Sequence, residues 1–127
     1  MTTHTINFSM FIDGVRDGSK RQTIRRLRKR PIAVGDTLRL YTGQRTKHCE
    51  FLREEVCTYV VPVQITGCLS IWHDGWRTDT LQPKADILAV ADGFDCWSAM
   101  RDWFDQAYGL PFDGAVTCWG DRPGWLP

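Results

Sequence analysis

Apolar and polar residues alternate along Ile6-Asn-Phe-Ser-Met-Phe11, the two-residue period of a strand with one buried face. The turn-prone pairs Asp13-Gly14 and Asp17-Gly18 follow, and a short helical turn is expected between them. Beyond a basic stretch, Pro31 stops any helix, Val34-Gly35-Asp36 makes a turn, and Thr37-Leu-Arg-Leu-Tyr-Thr42 alternates again until Gly43 ends the strand. Glu55 to Thr66 is β-branched and apolar enough for a long central strand, with Pro62 marking a bulge or an edge, since proline cannot donate to the ladder. Leu69–Trp72 and Trp76–Thr78 flank His73-Asp74-Gly75 and predict a hairpin. After Pro83 the period lengthens. Lys84 to Ala91 is rich in helix formers, and Phe94, Trp97, Met100, Phe104 and Ala107 recur at three and four residues, which places them on one face of an amphipathic helix. Asp92 or Asp95 is positioned to cap its start, and Gly109 with Pro111 to end it. Ala115–Trp119 reads as a closing strand and Gly120–Pro127 as an irregular tail. Strands outnumber helices without βαβ alternation, so the expected fold is α+β or a small β-barrel.

Length confines these elements to one domain over residues 1–127, with apolar and aromatic residues enough for one core. The opening Met-Thr-Thr-His-Thr lacks the basic and apolar regions of a signal peptide, and no stretch approaches the length of a membrane span, so a cytoplasmic protein with no membrane partner is expected. The five cysteines are odd in number and include no Cys-x-x-Cys pair. They read as reduced thiols, mostly buried, rather than a disulfide framework or zinc ribbon. His48-Cys49 with Cys57 comes nearest to a ligand cluster but falls short of the three or four converging ligands a zinc site needs, so neither metal nor cofactor is expected.

Charge changes the picture. Twelve of the sixteen Lys and Arg residues lie between Arg16 and Arg53, where only Asp17, Asp36 and Glu50 oppose them, and the rest of the chain is net acidic. Such asymmetry suits a surface that meets a polyanion, most plainly nucleic acid or a phosphorylated ligand. The positive residues are threaded through Gly18–Arg26 and Tyr41–Lys47, together with the small, hydroxylated and glycine residues that line sites.

Within the first segment Lys20 and Thr23 are three positions apart, a spacing that brings them together on a helical turn or around a tight loop. A threonine hydroxyl becomes a nucleophile when a neighbour accepts its proton, and a lysine desolvated beside Arg21, Arg25 and Arg26 is suited to do so, with Arg25 placed to stabilise an oxyanion. The same residues also read as a basic loop or helix end with Thr23 as a cap. In the second segment Gly43-Gln-Arg-Thr-Lys47 is no Walker loop, but its backbone N–H groups with Arg45 or Lys47 suit a phosphate. Trp72 and Trp76 suit base stacking, although tryptophans on strands more often belong to a core.

The order Phe8…Phe11…Val15-Arg-Asp-Gly18-Ser-Lys20-Arg-Gln-Thr23-Ile-Arg25, then Val34-Gly-Asp36-Thr-Leu38, Tyr41-Thr-Gly43-Gln-Arg45-Thr-Lys47, and later Ala91-Asp92-Gly93-Phe94 and Trp103-Phe104 resembles the ASCH family of the PUA-like superfamily. The likeness runs over most of the chain and is nearest to small stand-alone members common in phages and prophages. It implies a PUA-like mixed β-barrel with flanking helices, and a cleft handling RNA or a modified nucleoside. Some small ASCH proteins are amidohydrolases that remove the acetyl group of N4-acetylcytidine with a Lys, a Thr and a Glu. Lys20 and Thr23 fall on the first two positions, and Asp92 stands near the third. Others cleave RNA or bind it without turnover. The resemblance thus makes Lys20, Thr23 and Asp92 catalytic candidates. Arg21, Arg25, Arg26, Tyr41, Thr42, Gly43, Arg45 and Lys47 become candidates for contact with substrate or RNA.

Overall fold

A computed structural model describes residues 1–127. The chain runs β1 (Thr3–Phe8), α1 (Ile12–Asp17), β2 (Gln22–Arg25), β3 (Thr37–Thr42), β4 (Glu50–Ile65), β5 (Leu69–His73), β6 (Trp76–Thr80), α2 (Lys84–Asp92), α3 (Trp97–Tyr108) and β7 (Phe112–Trp119). This is an α+β protein built on one seven-stranded mixed sheet. β1 pairs in parallel with β3, and every other pairing is antiparallel. β4 is the hub: its first half pairs with β3, its second half with β7, and its last residues also with β5. β1, β2 and β6 each have one partner, so the sheet is not closed.

Two apolar clusters hold the layers. The larger packs Val61, Val63, Ile71 and Val116 of the sheet beneath Leu88 of α2 and Met100 and Phe104 of α3. The smaller gathers Ile6, Phe8, Leu38, Leu40 and Trp119 under Val15 of α1. The alternation read at Ile6–Phe11 is real but ends at Phe8, because Phe11 takes a left-handed conformation at φ 57° and starts α1. Pro62 lies opposite Ala115 and one residue before pairing with β5 begins, so one edge of the strand is unladdered there; the bulge falls instead between Cys57 and Tyr59.

Four expectations need correction. Lys20–Arg25 is neither a helical turn nor a helix end: Gln22–Arg25 is a strand antiparallel to β7, which the alternation of its side chains between two buried faces permits. Two helices follow β6: the segment of helix formers is α2, and the amphipathic helix is α3, which starts at Trp97 and so does not include Phe94. Gly93, at φ 116°, lies so close to the Phe11 ring that a Cβ would stand 2.6 Å from it, and its left-handed turn ends α2 at Asp92. Asp92 therefore closes one helix rather than capping the next, and Asp95 caps neither; the free N–H of Trp97 is satisfied by Asp86 Oδ1 at 2.8 Å, across from α2. Only Cys57 and Cys118 of the five thiols are buried, where desolvation pushes them up to about 11 and about 12. Trp76 is 77% exposed, because β6 is an edge strand and no layer covers its outer residues.

The tail has no regular structure, as expected, yet it is not peripheral. Trp125 is fully buried in the larger cluster, and its indole N–H donates to Gln22 Oε1 at 2.8 Å.

The starts of β1 and β3 are tied by Asp36, which accepts from His4 Nε2 at 2.8 Å and from the backbone N–H groups of Ala33 at 2.9 Å and Thr2 at 3.2 Å. These bonds favour the ionised carboxyl and hold it down to about 2. In the unfolded chain the same group titrates near about 3.9. Its contribution to stability is thus complete above that value and lost as the pH falls towards about 2. Urea unfolding of Asp36→Asn at stepped pH is expected to show lower stability than wild type at neutral pH and a shallower loss between about pH 4 and pH 2. Parallel acid slopes for the two proteins would contradict this assignment.

Candidate active site

The site begins with the strand β2. Side chains two residues apart on a strand share a face, so Thr23 and Arg25 point the same way, and Arg25 Nε donates to Thr23 Oγ1 at 3.2 Å. That bond occupies an acceptor position on the hydroxyl and leaves its own hydrogen free for a base. Close pairing with β7 fixes the strand. At Gly114 a Cβ would stand 2.3 Å from the carbonyl oxygen of Arg25, so only glycine lets the two backbones approach as they do.

Lys20 enters from the turn before the strand. Its side chain is 6% exposed, and Nζ donates to the backbone carbonyl of Asp92 while lying 3.6 Å from the Asp92 carboxylate, itself 7% exposed. Phe8 and Phe11 stand beside the ammonium, 5.9 and 5.5 Å from Nζ to their ring centroids. Burial pulls both partners toward their neutral forms: Lys20 is displaced down, chiefly by desolvation, against the attraction of Asp92, and Asp92 is displaced up, chiefly by desolvation, against the attraction of Lys20. A buried pair so disposed holds one proton between two groups that are both reluctant to be charged. Asp92 is further positioned by Gln22, whose Nε2 donates to Asp92 Oδ1 at 3.3 Å and whose Oε1 is held by Trp125. A line of contacts therefore runs Trp125, Gln22, Asp92, Lys20.

Lys20, Thr23, Arg25 and Asp92 all line one cleft of about 370 Å³, within the range of small-molecule sites. Its walls are aromatic: Phe8 and Phe11 from the end of β1 and the start of α1, Phe94 between the helices, and Trp103, Phe104 and Tyr108 from α3. Arg25 is sandwiched against Phe8, Cζ to centroid 4.9 Å, and its Nη2 donates to the Asn7 carbonyl at 2.6 Å. Desolvation displaces its pKa down, yet a guanidinium keeps its charge at working pH. Arg26 and Arg28 stand at the mouth.

The remaining candidates do not join this lining. Thr42 and the Gly43–Lys47 loop are tied to the rim through β1, by Thr42 Oγ1 to the Phe8 carbonyl at 2.8 Å and Gln44 N–H to Asn7 Oδ1 at 3.0 Å, while Arg45 and Lys47 line no part of the cleft. Tyr41 packs on Phe51 and its hydroxyl accepts from Arg39. Arg21 points to the other side, where it faces Asp121 at 3.6 Å. Of the two basic segments, the structure therefore brings Lys20, Thr23 and Arg25 of the first to one cleft, with Asp92, and leaves Arg45 and Lys47 of the second outside it. Sequence reading missed Gln22, Arg28 and the aromatic wall. Helical periodicity assigned Phe94 and Phe104 to a core stripe, but Trp103 beside Phe104 lies off that stripe and was the available sign of a second apolar face.

The chain matches no protein-family model, no curated protein and no solved structure.

Proposed function

We propose that this chain is an ASCH-domain protein whose cleft takes a nucleobase of a nucleoside or RNA, and that it hydrolyses the amide of an N4-acylated cytosine. The observation that carries the reading is the convergence of Lys20, Thr23 and Asp92 on one concave, aromatic-walled cleft of about 370 Å³, where an open basic groove would have favoured binding alone. Aromatic walls offer the flat faces on which a base stacks. The strand-rich α+β fold is compatible with a PUA-like barrel.

In this mechanism neutral Lys20 accepts the Thr23 proton as Oγ1 bonds to the acyl carbon. Arg25, already bonded to Oγ1, lies where the carbonyl oxygen gathers negative charge. Collapse of the tetrahedral adduct breaks the C–N bond, and protonated Asp92 gives its proton to the departing N4 amine. The proton on Lys20 returns to the pair, and water then cleaves the threonyl ester, freeing acetate and restoring the hydroxyl.

Acetate release from N4-acetylcytidine, followed with purified protein across pH, tests the reading. Activity is expected to require the one-proton form of the Lys20–Asp92 pair, rising with pH as the doubly protonated pair loses its first proton and falling as it loses the second, which leaves no acid for the departing amine. Asp92→Asn removes that acid, so it is expected to reduce the maximum rate and to leave a single rising limb set by Lys20 alone. Binding of RNA with no acetate release at any pH would replace the hydrolase by a binding module.

A further inference from the structure

Three guanidinium groups line the cleft, and none has a carboxylate partner: every ion pair of the molecule is made by other residues. The one carboxylate in the cleft, Asp92, is buried at its floor against Lys20. Arg25 is engaged there too, by Thr23 and the Asn7 carbonyl. Arg26 and Arg28 differ. Arg26 is exposed and lies over Tyr108, Cζ to centroid 4.6 Å, a stacking contact that orients the guanidinium plane while using none of its N–H donors. Arg28 is half-buried and donates a single bond from Nη2 to the Thr5 carbonyl at 2.8 Å, which anchors it and leaves its other donors free.

Position adds a second argument. Thr23 is buried, and the chain passes from it through the end of β2 to Arg26 at the mouth. Three residues of extended chain span at most about 10 Å, enough for a nucleoside to lie between hydroxyl and guanidinium. Exposed Lys29 and Arg30 continue the positive field beyond the mouth. We infer that Arg26 and Arg28 form a phosphate subsite at the mouth of the cleft, so that its ligand is a nucleoside bearing a phosphate, as a nucleotide or within a polynucleotide, rather than a free nucleoside. This rests on the nucleobase reading of the cleft.

Calorimetric titration with cytidine, cytidine 5′-monophosphate, cytidine 3′-monophosphate and a cytidine trinucleotide tests it, with the adenosine, guanosine and uridine counterparts as controls for base identity. A phosphate is expected to tighten binding at least about tenfold, as charge-assisted bonds to two guanidinium groups require. Arg26→Gln and Arg28→Gln should each reduce the ratio of nucleotide to nucleoside affinity severalfold, and Arg77→Gln, on β6 and outside the cleft, should leave the ratio as it is. A trinucleotide that binds more tightly than either monophosphate assigns the phosphate to a polynucleotide backbone; the reverse order assigns it to a mononucleotide. If none of the four nucleosides gains affinity from a phosphate, including the case in which nothing binds, the subsite is refuted. The two readings fail separately: acetate release from N4-acetylcytidine equal to that from its 5′-monophosphate, its 3′-monophosphate and a trinucleotide containing it removes the subsite and keeps the hydrolase, whereas a phosphate preference without acetate release keeps the subsite and removes the hydrolase.

Discussion

Lys20→Ala is expected to lower acetate release from N4-acetylcytidine by about a thousandfold, the scale of a general base that acts in the transition state. Thr23→Ala should cost at least as much, because it removes the hydroxyl that attacks. The double variant should lose little beyond the worse single one, since a nucleophile and its base act as a unit. Thr23→Ser keeps a hydroxyl at the attacking position and should retain more activity than Thr23→Ala. Lys20→Ala also removes the partner of a buried carboxylate, so folding must be read alongside: burial has already displaced Asp92 toward its neutral form, and loss of the ammonium pushes it further in that direction. Circular dichroism and urea unfolding of each variant separate lost chemistry from lost structure. Near wild-type rates in a folded Thr23→Ala protein would eliminate the threonine nucleophile.

Trp125→Ala should be the most damaging single change to the fold. The ring is fully buried, and truncating a buried Trp costs about 3–5 kcal/mol. Removing the indole N–H also leaves Gln22 Oε1 without its donor, at about 1–3 kcal/mol for an orphaned buried acceptor. Against a total stability of about 5–15 kcal/mol for a domain, this is a large share, and the melting temperature should fall by roughly 15–30 °C. Trp125→Phe separates the two effects. It preserves most of the apolar contact while deleting the bond, so the Gln22 amide loses the constraint that presents Nε2 to Asp92. A folded Trp125→Phe protein with reduced turnover would show that the tail positions the catalytic pair, and unchanged turnover would restrict it to packing. A cost below about 1 kcal/mol for Trp125→Ala would mean that the tail is not docked in the core.

Local pattern made β3, the β5–β6 hairpin and the apolar stripe of α3 legible, because each carries a clear period and chain-specific punctuation: alternation to Thr42 ended by Gly43, Asp74-Gly75 at a turn, and Gly109 at a helix end. β2 was not legible. Four residues are too few to display a period, and this segment is a strand only because β7 lies beside it, close enough to exclude any side chain at Gly114. The exact start of α3 was hidden for a similar reason: Phe94 fits the helical period by spacing, while the Phe11 ring packed against Gly93 decides that the chain must turn there.

For the site, Lys20, Thr23 and Arg25 stood out as chemistry-bearing residues of one segment, Asp92 entered only through the family resemblance, and the concentration of positive charge was a matter of counting. Which of the basic residues meet was settled by packing. Arg25, Arg26 and Arg28 face one cleft because β2 and the segment after it run along its wall, whereas Arg21, beside Lys20 in the sequence, faces Asp121 on the other side. The sequence by itself determined the inventory: a bipolar charge distribution, both strand and helix periods, and a lysine and a threonine three residues apart among arginines. Tertiary structure decided the displacement of Lys20 and Asp92 toward their neutral forms, the joining of the C-terminal Trp125 to Gln22, and the exposure of Trp76, because desolvation, long-range hydrogen bonding and burial depend on neighbours distant in the chain, and no local window contains them.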